Sequence, residues 1–537
     1  MRRRRISGLL AVSVIASSVL AVPDQPATAY AGAPRFAPGS VYDQNFPDPS
    51  IIEVDGVYHA YSTSTGGAGL PHMVSTDLVT WTAVGDALGQ GPVWSPHPGF
   101  ASEIWAPSVL KLDDGTFAAV YAAPTGDGDR HCLSVAYSNS ADGPFRDETS
   151  SPPLCESDPN GALDPYLVRD NAGTIWVIWK NEGIPANWSN LTPRPTGFWS
   201  RQLTSDARSW LPGSTVHHIL DISPGVRPWQ GSVIENPAII FWEGSWILTY
   251  SANRWDSADY AIGWARCEGP GGPCTEPSVL PLATSDARRL GPGGQTPIVG
   301  PDGSLRLGYH AWNPPFSSYP DFPSCDTNHD GTCTDQGQRL LWVEGLCVAG
   351  NRAYLHPSDG RRFCDVDPGS WYAAPVDWLA ETGITTGITP STYGSDDPVT
   401  RAQMVTFLWR YSGEPRSDLS AVNFDDVAPG SFYATAAAWA GDTGITTGIG
   451  NGLFGPNDAV TRAQMATFLW RLAGSPASPA DGPAFDDVPS DSYYSTAVGW
   501  LASEGITNGV SPGKYGPDGA VTRAQMAAFL YRYDNRP

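Results

Sequence analysis

Five times the chain repeats one design: an apolar run, a tight polar turn, then a run in which aromatics alternate with small residues. The units begin at Asp48 (turn Asp55 and Gly56), Ala106 (turn Asp113 to Gly115), Asp164 (turn Asn171 to Gly173), Glu235 (turn Glu243 and Gly244) and Gln295 (turn Asp302 and Gly303). Their spacings are 58, 58, 71 and 60 residues. Hairpins recurring at this period predict a five-bladed β-propeller rather than a β-sandwich, because the turn falls at the same offset in each unit. No other feature narrows the fold so far.

A second repeat follows. Phe363 to Val366, Phe424 to Val427 and Phe485 to Val488 stand 61 residues apart, and so do the segments starting at Thr400, Thr461 and Thr522. Each unit reads as helix, Gly-rich loop, helix. The second helix opens on Thr-Arg-Ala-Gln, in which Thr as N-cap and Gln at N3 make a capping box ahead of an apolar run. Three such units bury faces that none could bury alone. The expected division is a signal peptide over 1–29, an all-β propeller over 34–346, a linker over 347–362, and a separate α-helical module with repeats at 363–415, 424–476 and 485–537.

Arg2 to Arg5, the apolar run Ile6 to Val22 and the small residues Ala27 and Ala29 spell an export signal, after whose cleavage no membrane segment is expected. The eight cysteines contain no Cys-x-x-Cys pair, so disulfides between nearest neighbours are expected rather than a zinc cluster. With 32 Lys and Arg against 55 Asp and Glu, the net charge of −23 excludes a nucleic-acid binder. A chain with 21 Trp and 21 Tyr suits a neutral polyhydroxylated ligand instead.

In a propeller the first strand of each blade lines the axis, so residues at strand starts converge on one funnel. Three starts carry acids, Asp48, Asp164 and Glu235, each within two residues of a proline. Carboxylates crowded at one mouth repel one another, and at least one pKa should rise. A raised acid beside an ionised base is the equipment of glycoside hydrolysis.

Asn45 to Pro49, Trp105 to Pro107, Leu163 to Pro165, Glu235 to Pro237 and Tyr309 to Trp312 together resemble glycoside hydrolase family 43, the five-bladed arabinanases, arabinofuranosidases and xylosidases. The resemblance implies Asp48 as general base, Glu235 as general acid and Asp164 as the residue that tunes and orients Glu235. It implies inversion of configuration and no cofactor for the chemistry. The segment Tyr250 to Tyr260 resembles arabinose-active members, which points to an arabinan or arabinoxylan substrate; a β-xylosidase and a non-catalytic carbohydrate-binding surface protein are the alternatives. Leu163 before Asp164 departs from the Arg of the related sucrose and fructan enzymes, and Ser108 stands where an acid is frequent in blade 2. Phe46, Trp105, Asn253 and Trp255 are candidate substrate contacts, with Trp94 and Trp188 as further stacking rings. His310 resembles the axial His that helps hold a structural Ca2+, its alternative being a hydrogen-bonded core His. Asp326, Asn328 and Asp330 copy the start of a calcium loop, but Gly337 replaces the closing Glu, so a disulfide-pinned loop is the expectation. The C-terminal units resemble S-layer homology domains, with Gln where that family has Glu, and this implies cell-wall polysaccharide as partner, bound through Arg401, Arg462 and Arg523. A wall-attached exported protein is the expected whole.

Overall fold

A computed structural model describes residues 39–95, 104–125, 131–155, 161–181, 183, 195–317, 319, 337–356, 363–367, 369–417, 424–478 and 485–536. The signal segment, Trp188, and Asp326, Asn328 and Asp330 lie outside them.

Five antiparallel sheets follow one another along the chain, as the hairpin repeat predicts. Blade 1 is β1 (Ser50–Val54), β2 (Val57–Tyr61), β3 (Pro71–Ser75) and β4 (Thr82–Asp86). Blade 2 holds β6 (Trp105–Lys111), β7 (Phe117–Pro124), β8 (His131–Ser138) and β9 (Phe145–Arg146), with the short β5 (Leu88–Gln90) parallel to β9 at its edge. β10 (Leu163–Arg169), β11 (Ile175–Lys180), β12 (Gly197–Gln202) and β13 (His217–Asp221) form blade 3. β14 (Ile234–Trp242), β15 (Ser245–Ala252), β16 (Ala261–Cys267) and β17 (Cys274–Thr275) form blade 4. Blade 5 is β18 (Leu290–Val299), β19 (Leu305–Trp312), β20 (Arg339–Ala349) and β21 (Arg352–His356).

The innermost strands β1, β6, β10, β14 and β18 touch in cyclic order and close the ring. They enclose an axial cavity of about 750 Å³, to which Ile51, Val109, Leu167, Ile239 and Ile298 each contribute from one blade. Neighbouring blades cover both faces of the second strands, so β7, β11 and β19 are buried along their whole length and lose the polar alternation of a half-exposed strand. The outermost β4 is exposed throughout. Val41 N–H donates to Leu341 O and Phe46 N–H to Arg339 O, both at 2.8 Å, so the segment before blade 1 lies along β20 and latches the first blade to the last.

Residues 347–356, expected as linker, complete blade 5 instead: β20 runs on to Ala349 and pairs with β21 from Gly345 through Ala349. Its pattern Arg-Ala-Tyr-Leu-His behind the Gly350 and Asn351 turn is that of an edge strand.

The second module contains α1 (Ala373–Glu381), α2 (Arg401–Tyr411), α3 (Ala434–Asp442), α4 (Arg462–Leu472), α5 (Ser495–Ser503) and α6 (Arg523–Asp534). Thr400, Thr461 and Thr522 each cap a helix in a complete capping box with Gln403, Gln464 and Gln525. Helices of 9–12 residues are marginal alone, and one apolar core running through all three units holds them. The pairs α2 with α3, α4 with α5 and α6 with α1 make a closed three-unit ring. Cys347–Cys364 joins the two modules, and Glu243 Oε1 accepts from Ser391 N–H at 3.0 Å and from its hydroxyl at 2.8 Å. Cys132–Cys155 and Cys267–Cys274 are the other disulfides among the described residues, each between nearest neighbours; Cys325 and Cys333 fall outside.

Candidate active site

A left-handed residue stands at or near the start of each innermost strand: Asp48 (φ 51°), Ala106 (φ 44°), Asp164 (φ 50°), Asn236 (φ 51°) and Gly294 (φ 59°), with Gly291 (φ 52°) as a second in blade 5. Proline follows in the first four blades. The pairing register shifts there in blades 2 to 5, a bulge that turns side chains toward the mouth. Asp and Asn tolerate left-handed backbone better than other residues with a Cβ, which suits the choice in three blades. The three acids therefore do not share one offset. Asp48 and Asp164 are the left-handed residues themselves, whereas Glu235 precedes Asn236 and matches Pro47, Trp105, Leu163 and Gly293.

The fold nevertheless joins Asp164 and Glu235 through one cation. Lys180, the last residue of β11, places its Nζ 2.7 Å from Glu235 Oε2 and 3.8 Å from Asp164 Oδ2. Tyr260 donates its hydroxyl to Glu235 Oε1 at 2.7 Å, and Asn236 N–H donates to Asp164 Oδ2 at 3.1 Å. Burial pushes the Asp164 carboxyl up to about 7; Lys180 opposes the rise, while the charges of Glu235 and Asp48 add to it. The expectation that crowding raises one acid holds at Asp164, with burial as the larger cause.

Asp48 has different surroundings. Its Oδ2 accepts from the Thr63 hydroxyl at 2.7 Å, Arg339 Nη1 lies 3.4 Å away, and its own N–H donates to His310 Nδ1 at 3.0 Å. Thr63 Oγ1 also accepts from Ala106 N–H at 2.8 Å, tying the left-handed residues of blades 1 and 2. Gln295 ties blades 4 and 5: its amide donates to Asn236 O at 2.7 Å and accepts from Ser251, which in turn accepts from Gly294 N–H. The left-handed residues are thus braced between blades 1 and 2, 3 and 4, 4 and 5, and 5 and 1, which preorganises the acid cluster.

Trp105, 38% exposed, heads β6 and stacks on His131 at 4.2 Å. Trp255, 40% exposed, lies 4.9 Å from the guanidinium of Arg339, which also faces Trp312 and Tyr319. Both rings flank the Asp48 side. Phe46 does not join them: it is 2% exposed and packed edge-on against Tyr42 among Ile51, Met73 and Leu341. Asn253 spends its amide locally, donating to Trp229 O at 3.5 Å and accepting from Arg254 N–H. Trp94 is half-buried and donates to Thr149.

His310 is fully buried, and burial holds its imidazole neutral, helped by Arg339. Its Nδ1 serves Asp48, while its Nε2 has no hydrogen-bond partner. Because Nδ1 accepts from the Asp48 N–H, the neutral ring carries its hydrogen on Nε2, so His310 presents a proton there rather than a lone pair and does not fit as a ligand of an axial Ca2+.

Lys180, Tyr260, Thr63 and Arg339 were not singled out from the sequence as parts of the acid site. A signal existed for two of them: Lys180 ends the apolar run Ile175–Lys180, and Arg339 begins another.

In the helical module Arg401, Arg462 and Arg523 are 2%, 5% and 3% exposed. They do not project as surface groups. Each donates Nε to a carbonyl of the next unit in the ring, Phe454, Tyr515 and Tyr393, at 2.7, 2.8 and 2.6 Å, and each lies over that residue's ring. Arg401 Nη2 further donates to Thr446 at 3.1 Å, whereas Nη2 of Arg462 and of Arg523 has no partner among the described residues.

Residues 39–334 match the model of glycosyl hydrolases family 43, and residues 362–405, 423–466 and 484–527 match the S-layer homology domain. The chain is 32% identical over 135 residues to a cell surface protein of Thermoanaerobacter kivui, covering 24% of this chain and 18% of that protein. It is 26% identical over 196 residues to the extracellular endo-alpha-(1->5)-L-arabinanase 2 of Bacillus subtilis (strain 168), covering 32% and 39%. The chain thus spans well under half the length of the curated relatives it matches. A solved thermostable family-43 glycoside hydrolase is 23% identical, with 58% of this chain and 92% of that one covered at a TM-score of 0.47.

Proposed function

Because the chain belongs to glycosyl hydrolase family 43, we propose that it is an inverting glycosidase that releases arabinose or arabinose oligosaccharides from arabinan- or arabinoxylan-type carbohydrate. The observation that carries this reading is the buried cluster of Asp164, Lys180 and Glu235 beside a separately braced Asp48. The α-1,5-arabinanases of Bacillus subtilis and Thermotoga petrophila among its relatives support the sugar.

In this mechanism water attacks the anomeric carbon from the face opposite the leaving oxygen. Asp48 takes the water's proton, Glu235 gives one to the glycosidic oxygen, and that C–O bond breaks as the new one forms. Base and acid some 6.5–9.5 Å apart leave room for the water. Thr63 and Arg339 fix Asp48 as an acceptor. Asp164 binds a proton near neutrality, which places a proton beside the acid that has to give one. Trp105 and Trp255 offer stacking faces on the Asp48 side. The chemistry calls for no cofactor.

The repeats make the protein a secreted, cell-surface-associated one. In the proposed arrangement they hold cell-wall polysaccharide while the propeller faces its substrate. Incubation with arabinan, arabinoxylan and a panel of aryl-glycosides, read by product chromatography, tests the activity. Arabinose or arabino-oligosaccharides are expected; xylose alone would make it a β-xylosidase, and no product from any of them would make the propeller a binding module.

A further inference from the structure

A polar cluster apart from the acids remains without a role. His59 on β2 and His72 on β3 are diagonal neighbours across one ladder, where His59 pairs with Val74 and His72 with Tyr61, so both imidazoles leave the same face. Asp142 reaches them from the turn between β8 and β9 of blade 2, and Tyr61 anchors that turn by donating its hydroxyl to Ala141 O at 2.5 Å. His59 Nδ1 lies 3.1 Å from His72 Nε2 and 3.5 Å from Asp142 Oδ1, and His72 Nε2 lies 4.0 Å from the same oxygen.

We propose that His59, His72 and Asp142 bind a divalent transition-metal ion of the zinc class that clamps blade 1 to blade 2. Three lone-pair atoms meet within 4.8 Å, and one hydrogen between the two rings cannot satisfy them all. One hydrogen lies between the two rings, and the Asp142 carboxylate faces the pair whichever ring nitrogen keeps its lone pair. A cation answers all three lone pairs at once. Tetrahedral zinc with bonds of about 2.0–2.1 Å sets its ligand atoms about 3.3 Å apart, close to the spacings already present. The rings are parallel within 2°, with centroids 5.3 Å apart, and their nitrogens face nearly head-on. Entry of the ion therefore moves the shared hydrogen to the other nitrogen of its own ring and turns the imidazoles until both lone pairs converge on the ion. The exposed Asp142 leaves an entry path and room for a water as fourth ligand. Two imidazoles and one carboxylate suit zinc or a neighbouring transition metal better than calcium, which prefers oxygen ligands.

The full chain, freed of metal by a chelator and dialysed, is titrated with zinc chloride by calorimetry, and its melting is followed with and without zinc. Cobalt serves as a spectroscopic substitute. The expected result is one zinc per chain at this site, a raised propeller melting temperature and tetrahedral cobalt absorption. Asp142→Asn, at an exposed position, should leave the metal-free melting temperature unchanged yet weaken this binding at least about tenfold, and His72→Gln should remove it. No saturable zinc binding by the parent, or binding and cobalt spectra unchanged in Asp142→Asn and His72→Gln, would overturn the assignment; the latter would move the metal elsewhere, for instance to the exposed His218 and Asp221.

Discussion

Replacing Asp164 by Asn should change how the stability of the propeller depends on pH. The folded carboxyl titrates at about 7 against 3.8 when free. Between those values the native protein binds a proton that the unfolded chain has released, so this group makes stability fall as pH rises. Its favourable contribution is whole below pH 3.8 and gone once pH has passed about 7. An interval of about 3 pH units at about 1.4 kcal/mol each amounts to about 4 kcal/mol. Asn cannot ionise, so the Asp164→Asn variant lacks this slope while every distant group titrates as before. The difference in unfolding free energy, variant minus parent, should therefore rise by about 4 kcal/mol from about pH 4 to about pH 7.5. Urea unfolding followed by the fluorescence of the propeller's tryptophans, at half-unit pH steps, measures it directly. Curves that stay parallel across this range would show that Asp164 is not a buried, proton-holding acid, and the proposed proton store beside Glu235 would go with it.

Glu235→Gln and Asp48→Asn should each lower turnover on the true substrate by about 10³-fold, within the usual range for loss of a general acid or base, and leave the melting temperature within a few degrees. Near-normal kcat in either would remove that residue from the mechanism. Proton NMR of the first product formed should show the anomer opposite to that of the substrate; the retained anomer would rule out direct water attack. Protein unfolded without reductant should yield no reactive thiol, and two or more would contradict the expected pairing of all eight cysteines.

The blade count and the ring closure were legible because a turn fixes register, and five turns at one offset leave little freedom. The helical ring was legible in the same way, since the capping boxes mark helix starts locally. What escaped is what depends on distant segments meeting. Glu235 read as the counterpart of Asp48 and Asp164 because each lies within two residues of a proline. The backbone shows Asn236 in that place, and only the left-handed residue and its bulge reveal the frame. Phe46 belongs to a motif that borders the mouth, yet its ring packs inward. Lys180 is the plainest loss: it follows five residues of apolar strand, and nothing near it in sequence shows that Glu235 waits 55 residues away. Blade 5 ran past its expected end because β21 carries no turn signal of its own beyond Gly350.

The helix starts of the second module bear on how it holds a wall. A free helix N-terminus would offer N–H groups to an anion, but these are already used. Arg401 N–H donates to Asp458 O, Ala402 N–H to Pro456 O and Gln403 N–H to Thr400 Oγ1, and the same three contacts recur at Arg462 and Arg523. In the proposed arrangement an acidic wall group is therefore met by side chains, with the guanidinium as the charge. The three positions are not equal: Arg401 spends Nη2 on Thr446, while Nη2 of Arg462 and of Arg523 is buried without a partner among the described residues, so an anion reaches it only where the packing around it opens. Two competent sites in one rigid ring still raise avidity, and losing either sacrifices most of that gain. Lys preserves the charge but not the fork that can hold a carbonyl and an anion together. In the full chain, Arg462→Lys and Arg523→Lys should each reduce sedimentation with purified host walls by about tenfold, and Arg401→Lys much less. Thermal melting of each variant separates lost binding from lost packing. Equal retention in all three, with the helical module still folded, would show that the wall is not held through these arginines.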